Sequence, residues 1–274
     1  MKPAKKIHYL ITGLVLCYLF LPLAATFLYS VATEWHNSIL PEGLTAGWYV
    51  SLFHDPRFLD ALLRTVLVSA FTVALSILVM VPAIFVITFY FPYLERWLQG
   101  LATLPYSIPG VILAVGLIKV YSGGPVPLTG TFWILAGAYF VVILPYMYQG
   151  VKNSMRTVDA IKLMDAAELL GAGRGYAFRT VILPNILPGI MVSTLLSFSV
   201  LFGEFALANL LAGGQYETIQ VYLMLKLDES GHLSSALVMS YFVAVLVLSW
   251  LTLRLGQRLK GKPGREIKGG FKQL

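Results

Sequence analysis

Four histidines, one cysteine and thirteen carboxylates are the side chains of this 274-residue sequence with which covalent or metal chemistry could begin. His8, His36, His54 and His232 lie far apart, with no His-Glu-x-x-His, no nucleophile elbow and no Cys–His pairing for Cys17. None of the spacings that bring two metal ligands, or a nucleophile and its base, onto one face of an element is present. His36 and His54 share a loop with Glu34 and Asp55, a grouping that reads as solvated loop side chains ahead of a metal site. Gly171–Gly175, "GAGRG", has the glycines of a phosphate cradle but no Gly-Lys-Ser/Thr, so it is not expected to hold nucleotide. The sequence therefore predicts no enzyme, no metal and no cofactor in this chain.

The polar residues that remain belong to two settings. Ser193, Ser197, Val200, Glu204 and Ala208 recur at helical spacing in a long apolar run, which puts two hydroxyls and a carboxylate on one stripe. A carboxylate in such a run is costly unless it meets water or a partner. Ser193, Ser197 and Glu204 are therefore candidates for a solute pathway, beside the alternative of a small-polar helix interface with Glu204 hydrogen-bonded. The second setting is Asp165–Pro184, "DAAELLGAGRGYAFRTVILP", a polar, basic, glycine-punctuated stretch.

The elements that must position these groups follow from composition. With 58% hydrophobic and 12% charged residues, the chain holds more apolar side chain than a soluble domain of its size can bury. It is expected to be an all-α integral membrane protein forming a single transmembrane domain. A hydrocarbon core about 30 Å thick takes roughly 20 apolar residues as a helix, and six segments qualify: Ile7–Val31, Ala61–Tyr90, Leu98–Tyr121, Thr131–Gly150, Asn185–Ala212 and Leu233–Leu255. The first is longer than a secretory signal core and lacks a clear cleavage site, so it reads as a retained anchor. Pro22, Pro82, Pro105, Pro109, Pro145 and Pro188 fall in these spans and can kink them.

Sixteen of the twenty Lys and Arg fall on one side if both termini are cytoplasmic, and the positive-inside rule selects that orientation. The net charge of +7 thereby reports topology and lipid contact, not nucleic acid. The only long cytoplasmic loop is then 151–184, between the fourth and fifth spans. Within it "VDAIKLMDAAELL" is good helix material, Gly171 is its stop, "YAFRTVIL" is an amphipathic run and Pro184 is expected to end it. Composition alone fits a docking helix or a surface helix lying on headgroups.

The spacing adds a resemblance. Asp165-Ala166-Ala167, three residues, Gly171, nine residues, then Val181-x-Leu183-Pro184 resembles the cytoplasmic Glu-Ala-Ala loop of permease subunits of binding-protein-dependent ABC importers, with Asp165 standing for Glu and Val181 for Ile. The resemblance implies a type I importer permease fold (MetI-like) with six spans in the bacterial inner membrane. It also implies a coupling role for Asp165, Ala166, Ala167, Glu168, Gly171, Leu183 and Pro184. The implied partners are a cytoplasmic ATPase dimer that carries ATP and Mg, a second permease subunit and an extracytoplasmic binding protein. "WHNSILPEGLT", "GGPVPLTGTFWIL" and "GEFALANLLAGGQYETIQVYL" resemble the polyamine, ferric-iron and phosphonate importer group. They imply 2-aminoethylphosphonate as first cargo and a polyamine as second. An ion-gradient-driven secondary transporter is the alternative, for which inverted repeats and paired buried charges are expected.

Overall fold

A computed structural model describes residues 3–35, 40–123 and 127–259. Of the basic residues that set the orientation, Lys2 and those of the carboxy-terminal tail beyond 259 lie outside the described residues, as does His36.

Among the described residues the regular structure is helical. Five helices are long and apolar enough to cross a membrane. These are α1 (Pro3–Val31), α3 (Pro56–Tyr90), α6 (Phe132–Thr157), α9 (Leu183–Phe202, entered through a helical lead from Arg174) and α12 (Gly231–Leu259). A sixth crossing is a bent pair. It comprises Pro92–Ser107, which contains α4 (Glu95–Thr103), and α5 (Gly110–Tyr121), and the chain turns by 102° between them. Shorter helices complete the chain: α2 (Gly47–His54), α7 (Ala160–Leu169), α8 (Arg174–Ala177), α10 (Ala206–Leu211) and α11 (Ile219–Leu227).

Two expected spans are thus interrupted. Leu98–Tyr121 is broken at Ile108, whose extended backbone (φ −107°, ψ 113°) separates a tight turn over Leu104–Ser107 from α5. Pro105 and Pro109 remove two backbone donors one turn apart, and Pro109 disfavours helical geometry at Ile108. The single prolines Pro22, Pro82, Pro145 and Pro188 stay inside continuous helices. Asn185–Ala212 likewise stops at Phe202, and α10 starts only at Ala206.

The core forms three stacked clusters. The cytoplasmic one joins Met80, Ile84 and Phe85 of α3, Met147, Val151 and Met155 of α6, Ile186 and Ile190 of α9, and Ala160, Met164 and Ala167 of α7. The central one joins α3, α5, α6, α10 and the end of α9. The outer one packs Leu52, Phe58, Phe202, Ile219, Tyr222 and Leu237. The α6–α9 crossing is close because small residues face each other: a Cβ on Gly150 would lie 2.8 Å from that of Ser193, and Gly189 sits directly against Ser154. Each helix supplies one Gly and one Ser four residues apart.

Candidate functional site

The cytoplasmic stretch forms a helix with two unlike faces. Ala160, Met164 and Ala167 are buried in the core shared with α3, α6 and α9, the i, i+4, i+7 pattern of a one-sided helix. The opposite side presents Ile161, Asp165 and Ala166 to the surroundings, and at its tip Leu169 and Leu170 are 88% and 89% exposed. Nothing in the described chain covers these two leucines. Asp159 leads in with a left-handed backbone (φ 49°) and its carboxylate pairs with Lys162 at 2.6 Å. That hydrogen bond holds Asp159 below the usual aspartate value.

Gly171 ends the helix as expected, at φ 83°. Its N–H donates to Glu168 O at 2.9 Å and the N–H of Ala172 donates to Ala167 O at 3.0 Å, the paired bonds of a Schellman cap, in which glycine pays no Cβ penalty. Glu168 then pairs with Arg174. The Arg174 guanidinium also donates to Phe89 O at 3.0 Å and lies 5.1 Å from the Tyr90 ring centre, so the loop is pinned to the end of α3.

Pro184 does not end the amphipathic run. Residues Phe178–Ile182 form a π-helical turn that continues directly into α9, with Pro184 in its first turn. A helix start needs no partner for that missing N–H, and the wider π turn makes room for the ring. Ile182 is fully buried and Leu183 partly so.

In the fifth span the three candidate pathway residues separate. Ser193 is buried against Gly150 and donates to Gly189 O at 2.8 Å. Ser197 is fully buried, its hydroxyl without a partner among the described residues. Glu204 lies beyond the end of α9, so no continuous helical stripe links it to the serines. Its carboxylate accepts from Leu207 N at 3.0 Å and Ala208 N at 3.1 Å, capping α10. It also borders a cavity of about 200 Å³ at the point where the break of the third span meets that of the fifth, together with Pro105, Tyr106, Ile108, Tyr146 and Leu207.

Three other polar contacts were not foreseen. Arg57 and Glu217, 160 residues apart, form a two-pronged ion pair with distances of 2.8 and 3.0 Å. Tyr222 donates to Asp55 at 2.6 Å while Asp55 caps α3; the Tyr222 bond is the leading cause that holds Asp55 below its usual range. On the opposite side Lys152, only 8% exposed, meets Glu95 at 2.8 Å and Thr88 at 3.0 Å. For the two ion pairs the sequence signal was an Arg or Lys counted only for topology.

Apolar crossings, two of them broken beside one half-buried carboxylate, and a capped helix on the basic side define a multi-pass membrane protein. Residues 43–261 match the family described as "Binding-protein-dependent transport system inner membrane component", and the chain belongs to that family. It is 29% identical over 250 residues to the permease protein named for 2-aminoethylphosphonate transport in Salmonella typhimurium, covering 91% of this chain and 93% of that one. It is 21% identical over 253 residues to the spermidine/putrescine transport system permease of Escherichia coli K12, covering 91% and 94%. In fold it matches a bacterial ABC transporter involved in the import of alginate, with a TM-score of 0.74 at 16% identity over 92% of this chain and 94% of that one. The fold is that of the type I ABC importer permeases, as the Glu-Ala-Ala-type spacing implied.

Proposed function

We propose that this chain is half of the membrane channel of an ATP-driven importer, with ATP and Mg carried by a separate cytoplasmic ATPase pair. The observation that carries the reading is the two-faced α7. Its buried side is continuous with the cores of three spans, while Asp165, Ala166, Leu169 and Leu170 are left outside. An exposed apolar tip on a rigidly capped helix suits insertion into another protein's cleft. Gly171 sets the exit angle, and Leu183 and Pro184 join the loop to α9. Closure of the ATPase pair on ATP then displaces α7, and the spans attached to it alternate between inward- and outward-open states.

A second, similar permease completes the channel, and an external binding protein delivers the cargo. The proposed cargo is 2-aminoethylphosphonate first and a polyamine second, supported by the names of the relatives above. Glu204 is the proposed pathway residue, a reading supported by the cavity it borders; Ser193 and Ser197 bear on that pathway through the packing of α9.

Affinity purification of the tagged chain from its native membrane tests this. An ATPase and a second permease are expected to come with it, and to be lost on Gly171→Pro or Asp165→Arg while the six spans stay folded. A chain that purifies alone and moves solute under an ion gradient overturns the reading in favour of a secondary transporter.

A further inference from the structure

Glu204 is the carboxylate of the fifth span, and no Lys or Arg among the described residues forms an ion pair with it. Its two oxygens hold backbone N–H groups of Leu207 and Ala208, which leaves further lone pairs on the carboxyl oxygens for a donor. The adjoining cavity of about 200 Å³ has room for several waters at about 30 Å³ each. Two of its walls are the rings of Tyr106 and Tyr146, 5.8 Å apart and nearly perpendicular (87°). Ile108, Pro105 and Leu207 make much of the remaining wall apolar.

This combination selects by charge and shape. A phosphonate or carboxylate group would face Glu204 with like charge and find no basic side chain in the lining. A bare metal ion would find one carboxylate, where hard cations take six or more oxygens. An ammonium group on a short apolar stem satisfies every wall: its N–H groups donate to Glu204, its charge lies against aromatic faces and its methylenes lie against the apolar side.

We infer that the cavity between the two broken spans, formed by Glu204, Tyr106 and Tyr146, is a recognition site for a primary alkylammonium group. The inference deepens the pathway reading above. It names the chemistry shared by an aminophosphonate and a polyamine, and it assigns the amine end of either to this chain, leaving the other end outside the cavity.

The test is saturation-transfer NMR on the full chain in nanodiscs, with whatever subunits accompany it, using propylammonium as probe and 1-propanol as its uncharged counterpart. Propylammonium is expected to bind more tightly than propanol and to be displaced by 2-aminoethylphosphonate or by spermidine; which of the two competes identifies the source of the ammonium. Glu204→Gln keeps an oxygen for the Leu207 N–H and should weaken propylammonium about tenfold or more while leaving propanol unchanged. Tyr146→Leu, which spares the cap, should weaken it severalfold, and Tyr146→Phe should not. Equal affinity for propanol, native affinity in both Glu204→Gln and Tyr146→Leu, or failure of both competitors overturns the inference. A chain that binds the ammonium yet purifies without an ATPase overturns the importer reading alone.

Discussion

Replacing Gly171 separates backbone conformation from steric fit, because a Cβ there meets nothing within 4 Å although φ is 83°. The penalty for an L-residue is therefore purely conformational, about 1–2 kcal/mol for alanine in the left-handed region, less for asparagine and more for a β-branched residue. In the free protein the penalty is avoided by unwinding the last turn, which gives up the bonds to Glu168 O and Ala167 O and lets Leu169 and Leu170 fray. On the proposed coupling role, docking must re-form that turn, so the cost falls on the affinity for the ATPase. At about 1.4 kcal/mol per factor of ten, Gly171→Ala should weaken docking about 5- to 30-fold, with Gly171→Asn milder and Gly171→Val more severe. The assay is equilibrium binding of the purified ATPase to the permease in nanodiscs, alongside circular dichroism to show that the spans remain helical. Native affinity for Gly171→Val, or an asparagine variant worse than the alanine one, would refute the argument that cap geometry presents the leucine tip.

Two further outcomes follow from the packing. Gly150→Ala should lower the stability of the solubilised permease by about 1–3 kcal/mol, and Ser193→Gly in the same chain should recover most of it. Ser193→Ala should recover only part of it, since it removes the closer clash with the Ser193 hydroxyl but leaves the Ser193 Cβ at 2.8 Å; additive effects of Gly150→Ala and Ser193→Gly in thermal unfolding would show that the helices do not meet there. For the outer contact, Asp55 lies below its ordinary value of 3.8, held there first by the Tyr222 hydroxyl. Its stabilising contribution is full above that value and lost as pH falls through the depressed one. Tyr222→Phe should accordingly flatten the decline of stability below about pH 4, and an unchanged profile on acid titration would count against the bond.

Most of the span pattern was legible because apolar length is a local signal, and α7 was legible because its composition and Gly171 act within a few residues. The breaks were not. Six prolines looked alike in sequence, yet only the pair Pro105 and Pro109 interrupts a crossing, since two missing donors one turn apart leave Ile108 free to extend. Ser193 and Ser197 share a buried face of α9, but Glu204, read on the same stripe, lies beyond a break that periodicity does not show, and whether the serines met solvent or another helix depended on Gly150 and Gly189, which lie on different helices. Arg57 with Glu217 and Tyr106 with Tyr146 are invisible to periodicity because their partners are brought together only by the crossings themselves.

These crossings also decide how a push on α7 can reach Glu204. At its cytoplasmic end α9 is joined to α7 and α8 through the π turn Phe178–Ile182, with Ile182 fully buried in the same cluster as Met164 and Ala167. Along its length α9 is held to α6 by reciprocal Gly–Ser contacts and by Ser154 donating to Ile186 O at 3.2 Å. Close-packed interfaces of this kind transmit displacement as a body and do not absorb it. At the outer end α9 stops at Phe202 and the chain passes through Gly203 before the Glu204 cap of α10, so no continuous helix carries the displacement further. A tilt of α9 and α6 together, begun at α7, would thus be expressed as a change in how α10 sits against α5. That contact closes one side of the cavity to which Glu204 contributes its charge.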